Sequence, residues 1–207
     1  MMTFGGLGLW KDEEKKIHDC LAEAVRELQC AGSVSVSADE KTITGKLRPY
    51  IEAQRKKLEY WTLHFEASVF ARVSDANPVG HPDIQFSRPF SGGDQWDYDV
   101  ECKLVRVKRK GKDHDYGEYY VEQGVKDRFI SCLYCANVPS GTMLGYVQEG
   151  EPQYLLVEIN KRLKSAGIRG IRRNGKWQVK GITRLIHSLD RRKAKDFRLH
   201  HLWADFR

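Results

Sequence analysis

Asp83 and the run Trp96-Asp97-Tyr98-Asp99-Val100-Glu101-Cys102-Lys103-Leu104 carry the most chemically suggestive spacing in the chain. In an extended segment, successive side chains alternate between two faces. Tyr98, Val100, Cys102 and Leu104 therefore share one face, and Asp97, Asp99, Glu101 and Lys103 share the other. Three carboxylates and an amine in a row, backed by an apolar face, are electrostatically costly unless something balances them. A divalent cation would do so, because carboxylate oxygens are the ligands Mg²⁺ prefers. Asp83 opens a second short run, Asp83 to Phe86, in which Ile84 and Phe86 point away from Gln85. If the two runs pair as strands, Asp83 comes close to Glu101.

The elements that must position these groups are legible in outline. Residues 11–29 read as an amphipathic helix, with Ile17, Leu21, Ala24, Val25 and Leu28 at helical spacing. Residues 31–45 are small and polar, a connector or weak hairpin. A second helix is expected from Pro49, a first-turn proline, with Ile51, Leu58, Trp61, Phe65 and Val69 on its stripe. Period-two alternation from Leu63 allows a strand there instead. Turns at Asn77-Pro78 and at 91–94 bracket the two strands, the longer running from Trp96 to Val107. A charged loop (108–117) leads to a helix over 118–136, whose stripe would be Val121, Val125, Phe129, Cys132 and Ala136. Met143 to Val147 is a short apolar strand, and a further helix starts near Pro152 and ends by Gly167. Asn174-Gly175 is a two-residue hairpin signal, and 197–206 closes as a strand. The order implies an α/β fold around a small mixed sheet flanked by helices.

With these elements, the chain resembles the PD-(D/E)xK nuclease superfamily. Pro82-Asp83 matches the first half of its signature and Glu101-Cys102-Lys103 the second, with 17 residues between Asp83 and Glu101. Glu13-Glu14-Lys15 and Asp39-Glu40-Lys41 also match the triplet, so context decides. Only the triplet at 101–103 lies in an apolar strand, follows the sole Pro-Asp pair and precedes an amphipathic helix. The resemblance implies a restriction-endonuclease-like core over about residues 49–147. It also implies Mg²⁺ or Mn²⁺ held by Asp83, Glu101 and the Cys102 carbonyl. Lys103 would orient or deprotonate the attacking water, or act purely by its charge. Relatives often carry another acid on the preceding helix; Glu52, Glu59 and Glu66 recur at heptad spacing and Glu66 is the candidate, against a set of solvated charges. Relatives also place Gln and, four residues on, Tyr on the following helix. This chain has Gln123 but Asp127. Lys126 and Arg128 on that helix would meet phosphates or solvent.

The 207 residues suit one domain with appendages: an N-terminal helix and connector (1–48), a core (49–167) and a basic C-terminal extension (168–207) on the same domain. Apolar residues are 41% and aromatics 11%, which argues against disorder. From Lys161 onward 15 basic and 3 acidic residues give +12, while the other 160 residues sum to −5. Such a split points to a polyanion. Arg172, Arg173 and Lys176, with Trp177 among them, are the candidate contacts, DNA being favoured over RNA; an acidic protein partner is the competing reading. No run is long enough to span a membrane, and the N-terminus lacks a signal-peptide pattern. Five cysteines are an odd set that suggests reduced thiols and a cytoplasmic location. Cys132-Leu133-Tyr134-Cys135 lacks a second pair for zinc, and His200-His201 suggests a strand at a sheet edge. By analogy with the superfamily, the activity would be DNA cleavage in a bacterial defence or mobile-element system with an ATPase, helicase or sensor partner. Two-fold pairing would let one site per chain cut both strands of a duplex. The alternatives are an RNA-cleaving enzyme, or a silent relative that only binds nucleic acid or a partner.

Overall fold

The computed structural model describes residues 4–69, 79–89, 95–106, 117, 119–179, 181–191 and 196–207, with the side chains of 4–7, 176 and 177 outside the described set. The turns expected at 77–78 and 91–94, the loop at 108–116 and the basic residues at 192–195 lie outside it.

Among the described residues seven strands form one mixed sheet: β1 (Thr62–Phe65), β2 (Ile84–Pro89), β3 (Gln95–Val105), β4 (Ser140–Val147), β5 (Arg172–Val179), β6 (Ile182–Leu189) and β7 (Phe197–Asp205), in the order β1-β2-β3-β4-β7-β6-β5. The pairs β1–β2 and β2–β3 are antiparallel, β3–β4 and β4–β7 parallel, and β7–β6 and β6–β5 antiparallel. All eight residues of β4 are buried, as expected of a parallel strand covered on both faces. Helices α1 (Phe4–Cys30) and α2 (Glu40–Arg55) cover one face, and α3 (Tyr119–Ile130) the other, with α4 (Pro152–Ser165) packed beside α3. No described helix is long and apolar enough to cross a membrane.

Several expectations need correction. Asp39 caps α2, its carboxylate accepting from Thr42 N at 2.8 Å. The helix therefore starts inside the expected connector and runs through Pro49, so the boundary drawn at 48/49 falls within it. It stops at Arg55. Tyr60 takes a positive φ of 67° and the chain re-enters as β1, so Trp61 and Phe65 leave the helical stripe. The α3 helix is π-type, with buried residues Tyr120, Val121, Gly124, Val125 and Phe129. Its wider turn ends the expected stripe at Phe129, and Cys132 and Cys135 sit beyond it at positive φ. Asn174-Gly175 lies inside β5, which pairs as far as Val179 with Ile182 of β6, and Gly181 just before β6 takes a φ of 74°. The strand β7 is not an edge. It lies between β4 and β6, which buries His200 and His201.

A polar network joins α1 to the sheet. His18 Nε2 lies 2.8 Å from the Tyr98 hydroxyl and 3.2 Å from Thr142 Oγ1. Glu14 Oε1 lies 3.2 Å from His200 Nε2. Burial, then the neighbouring His200, lowers the His18 pKa to about 3. Glu14 falls to about 2: burial opposes ionisation, but bonds from His200 and Ser140 outweigh it. Both shifts are downward. The unfolded chain thus binds more protons, and this joint loses stability as pH falls from 6.5 through 3 for His18 and from 4.5 through 2 for Glu14. Melting curves in this range should show α1 as acid-labile, and His18→Gln should flatten the slope between pH 4.5 and 6.5. An unchanged slope would remove His18 from that account.

Candidate metal and phosphodiester site

The β2–β3 register pairs Ile84 with Val100, which places Asp83 against Glu101 where the two strands part. Asp83 Oδ2 accepts from Cys102 N at 2.6 Å. Lys103 Nζ lies 2.8 Å from Glu101 Oε1 and donates to the Cys102 carbonyl at 2.9 Å. It also donates to Glu40 Oε1 at 3.1 Å, while Glu40 Oε2 accepts from Leu104 N at 3.1 Å. Glu40, at the start of α2, therefore caps the part of β3 that β2 leaves uncovered.

This glutamate was missed. It sits in Asp39-Glu40-Lys41, one of the triplets set aside as chance matches, and the signal that could have found it was the Asp cap ahead of Ile43 and Leu47. Glu66 reaches the site by a different route from the one expected. It follows β1 at a φ of 53°, donates its N–H to Asp83 O at 3.2 Å, and pairs with Arg48 at 3.3 Å. Burial raises the Asp83 pKa, and the Glu66 charge adds to that.

The row of carboxylates on β3 divides in two. Asp97 accepts from Ser87 Oγ at 2.8 Å and Gln95 Nε2 at 2.7 Å. Asp99 accepts from Gln85 Nε2 at 2.7 Å and Cys135 N at 2.6 Å. Neutral donors satisfy both, so neither calls for a cation. Glu101 differs: it is 4% exposed, and its Oε2 has no hydrogen-bond partner among the described residues. Burial, with the adjacent Asp83 charge adding to it, lifts the Glu101 pKa to about 7 despite Lys103. Burial also raises Asp83 and Glu40. Burial alone would lower Lys103, but Glu101, Glu40 and Asp83 together hold it above the ordinary lysine value. Lys103 is thus fixed as a cation in this arrangement, which favours an electrostatic role over that of a base.

Among the described residues no group of three or more His, Cys, Asp or Glu side chains is arranged to hold a metal ion. The donor set that is present, Asp83 with Glu101 and its orphaned Oε2, fits a hard cation. Mg²⁺ characteristically keeps several waters and takes only one or two carboxylates plus a substrate phosphate.

The other candidates fall elsewhere. Gln123 is exposed, and Lys126, also exposed, pairs with Glu122 at 2.7 Å. Arg128 does reach the site, its Nε 3.9 Å from Glu101 Oε1. Arg172 and Arg173 are exposed on β5, the edge strand separated from β3 by β4, β7 and β6. The Lys176 side chain lies outside the described set. Cys135 is buried against Asp99, its sulfur accepting from Asp99 N at 3.2 Å, and Arg191 donates to Cys132 Sγ at 3.2 Å. Both thiols are therefore engaged in packing the turn.

Neither family models, nor curated proteins, nor solved structures gave a match to this chain.

Proposed function

We propose that the protein is a Mg²⁺- or Mn²⁺-dependent endonuclease of the PD-(D/E)xK type on a restriction-endonuclease-like core, acting on DNA. The observation that carries this reading is the opposition of Asp83 and Glu101 across paired strands, with Lys103 Nζ 2.8 Å from Glu101. Asp83 and Glu101 would hold the cation, which supplies charge neutralisation and a water of lowered pKa. Lys103, kept charged by three carboxylates, would stabilise negative charge growing on phosphorus. Glu40 would hold Lys103 in position. Arg172 and Arg173 on the far edge strand would draw the nucleic-acid backbone by charge.

Purified protein should nick or linearise plasmid DNA with Mg²⁺ or Mn²⁺ and not with EDTA. Single-stranded DNA, duplex DNA and RNA tested side by side would name the substrate. Cleavage that survives Asp83→Ala would overturn the assignment. The basic surface needs its own variant. Deleting 168–207 would strip β5, β6 and β7 from the sheet and expose β4, so Arg172→Glu with Arg173→Glu is the appropriate change. It should reduce the salt slope of DNA binding by about 2. An unchanged slope would assign this edge to a protein partner.

A second reading, a silent relative that binds without cutting, draws on the ion pairs that occupy Lys103 and on the two-carboxylate donor set. Mg²⁺ binding that vanishes in Asp83→Ala, without cleavage in the wild type, would favour it.

A further inference from the structure

Of eight buried polar atoms that lack hydrogen-bond partners among the described residues, three belong to neighbouring residues: Glu101 Oε2, Arg128 Nε and the Tyr134 hydroxyl. Arg128 Nε lies 3.9 Å from Glu101 Oε1, and its guanidinium carbon stands 5.4 Å from the centre of the Tyr134 ring. The charges of Glu101 and Asp83 act on the Tyr134 hydroxyl. Native interiors rarely leave one such group unsatisfied, and each needs an explanation. Three on neighbouring residues, beside the Asp83–Glu101 pair, single this place out for a polar ligand.

The surroundings hold this spot rigidly. Beyond the end of α3, Tyr134 N donates back to Arg128 O at 2.9 Å. Arg191 donates to the Tyr134 and Cys135 carbonyls at 3.2 and 3.1 Å, and Cys135 N is tied to Asp99. Gly80 lies against the ring so closely that a Cβ there would come 3.1 Å from Tyr134 Cε1. Tyr134 is fully buried, whereas the Arg128 side chain is 32% exposed, so of the two Arg128 is the one open to solvent.

The chemistry of the three atoms is not uniform. Glu101 Oε2 can only accept while ionised, and the Asp83 charge acts on this same carboxylate, as suits a cation. Arg128 Nε–H and Tyr134 O–H are donors, one of them charged, and suit an anionic oxygen. We propose that Arg128 and Tyr134 form the pocket for one non-bridging oxygen of the substrate phosphodiester, set beside the Asp83–Glu101 pair. This rests on the phosphodiester reading above and adds Tyr134, to which no sequence motif pointed.

Tyr134→Phe removes a hydroxyl that bonds to nothing among the described residues, so its melting temperature should match or exceed that of the wild type. The test is cleavage of a duplex oligonucleotide with Mg²⁺, the scissile phosphate being ordinary or carrying sulfur at either non-bridging position. On the ordinary diester, Tyr134→Phe should lose about tenfold in kcat/KM, and Arg128→Lys at least as much. With one sulfur diastereomer the Tyr134→Phe loss should shrink to near unity, because sulfur accepts hydrogen bonds poorly. An equal loss on all three substrates, or none, would overturn the pocket, leaving the hydroxyl with a bridging water only. A second arm separates this from the underlying reading: dimethyl phosphate titrated into the full chain, followed by the NMR signal of Arg128 Nε–H. If the wild type cuts no nucleic acid, the nuclease reading falls. A shift of that signal that weakens in Tyr134→Phe would still support the anion pocket. No shift in either protein would sink the pocket as well.

Discussion

Glu101→Gln should lower metal-dependent cleavage by at least about 10²-fold and yet make the metal-free protein melt higher at pH 8. The two effects share one cause. Burial and the neighbouring Asp83 raise the folded pKa of Glu101 to about 7, above its model-peptide value of 4.5. Between those values the folded state binds more protons than the unfolded chain. Stability contributed by this group is therefore lost as pH rises from 4.5 to 7, and the full cost stands above pH 7. That cost is on the order of 3 kcal/mol, or several degrees in a chain of this size. Glutamine keeps the shape without the charge. In EDTA, the melting temperature of Glu101→Gln should match the wild type near pH 4.5 and rise above it by pH 8. Adding Mg²⁺ at pH 8 should stabilise the wild type and leave the variant unmoved. A variant that melts lower than wild type throughout would show that ionised Glu101 supports the fold instead.

Lys103→Ala should cost about 10²–10³-fold in cleavage and about 3 kcal/mol of stability at pH 8. In the wild type this ammonium sits among Glu101, Glu40 and Asp83. Its removal leaves three partly buried carboxylates facing one another, whose remaining recourse is to take up protons. The stability loss should shrink toward pH 5, where they can. Lys103→Arg should restore most of the stability and little of the activity, since the broad guanidinium fork does not replace a compact point charge. If Lys103→Ala cut as fast as wild type, the lysine would be structural and the catalytic reading would fail.

The parity of 97–104 and the Pro82-Asp83 pair sufficed to anticipate strands β2 and β3 and the meeting of Asp83 with Glu101, because alternation in a half-buried strand is a strong local signal. The α2 boundaries were missed, since Pro49 looked like a start and Asp39, the actual cap, lay in a polar stretch. Glu40 was lost with it. Tyr134 could not be foreseen, because its place depends on a π-helix ending at Ile130 and on Arg191 from a distant segment. Likewise, nothing local in FRLHHLWADF distinguishes a central strand from an edge. Its apolar residues alternate unevenly because both of its faces are covered, and the β4 pairing that covers one edge is set by sheet topology. Asp97 and Asp99 looked in need of a balancing charge because the sequence does not show Ser87, Gln85 and the Cys135 amide arriving to satisfy them.

The placement of β7 has a temporal consequence. The β1–β3 meander and its Asp83–Glu101 pair can assemble from neighbouring segments, and β4 can then join β3. The far edge of β4 stays open until residue 205 has been made, about sixty residues later. At roughly 5–20 residues per second that is some 3–12 s of synthesis. During this interval a strand that is buried over its whole length in the finished sheet has an unsatisfied ladder, and closure of this side of the sheet waits for β7. On the ribosome, the carboxylates can be in register before the scaffold beneath them is complete, and the partly made sheet is at its most vulnerable to pairing with the wrong strand.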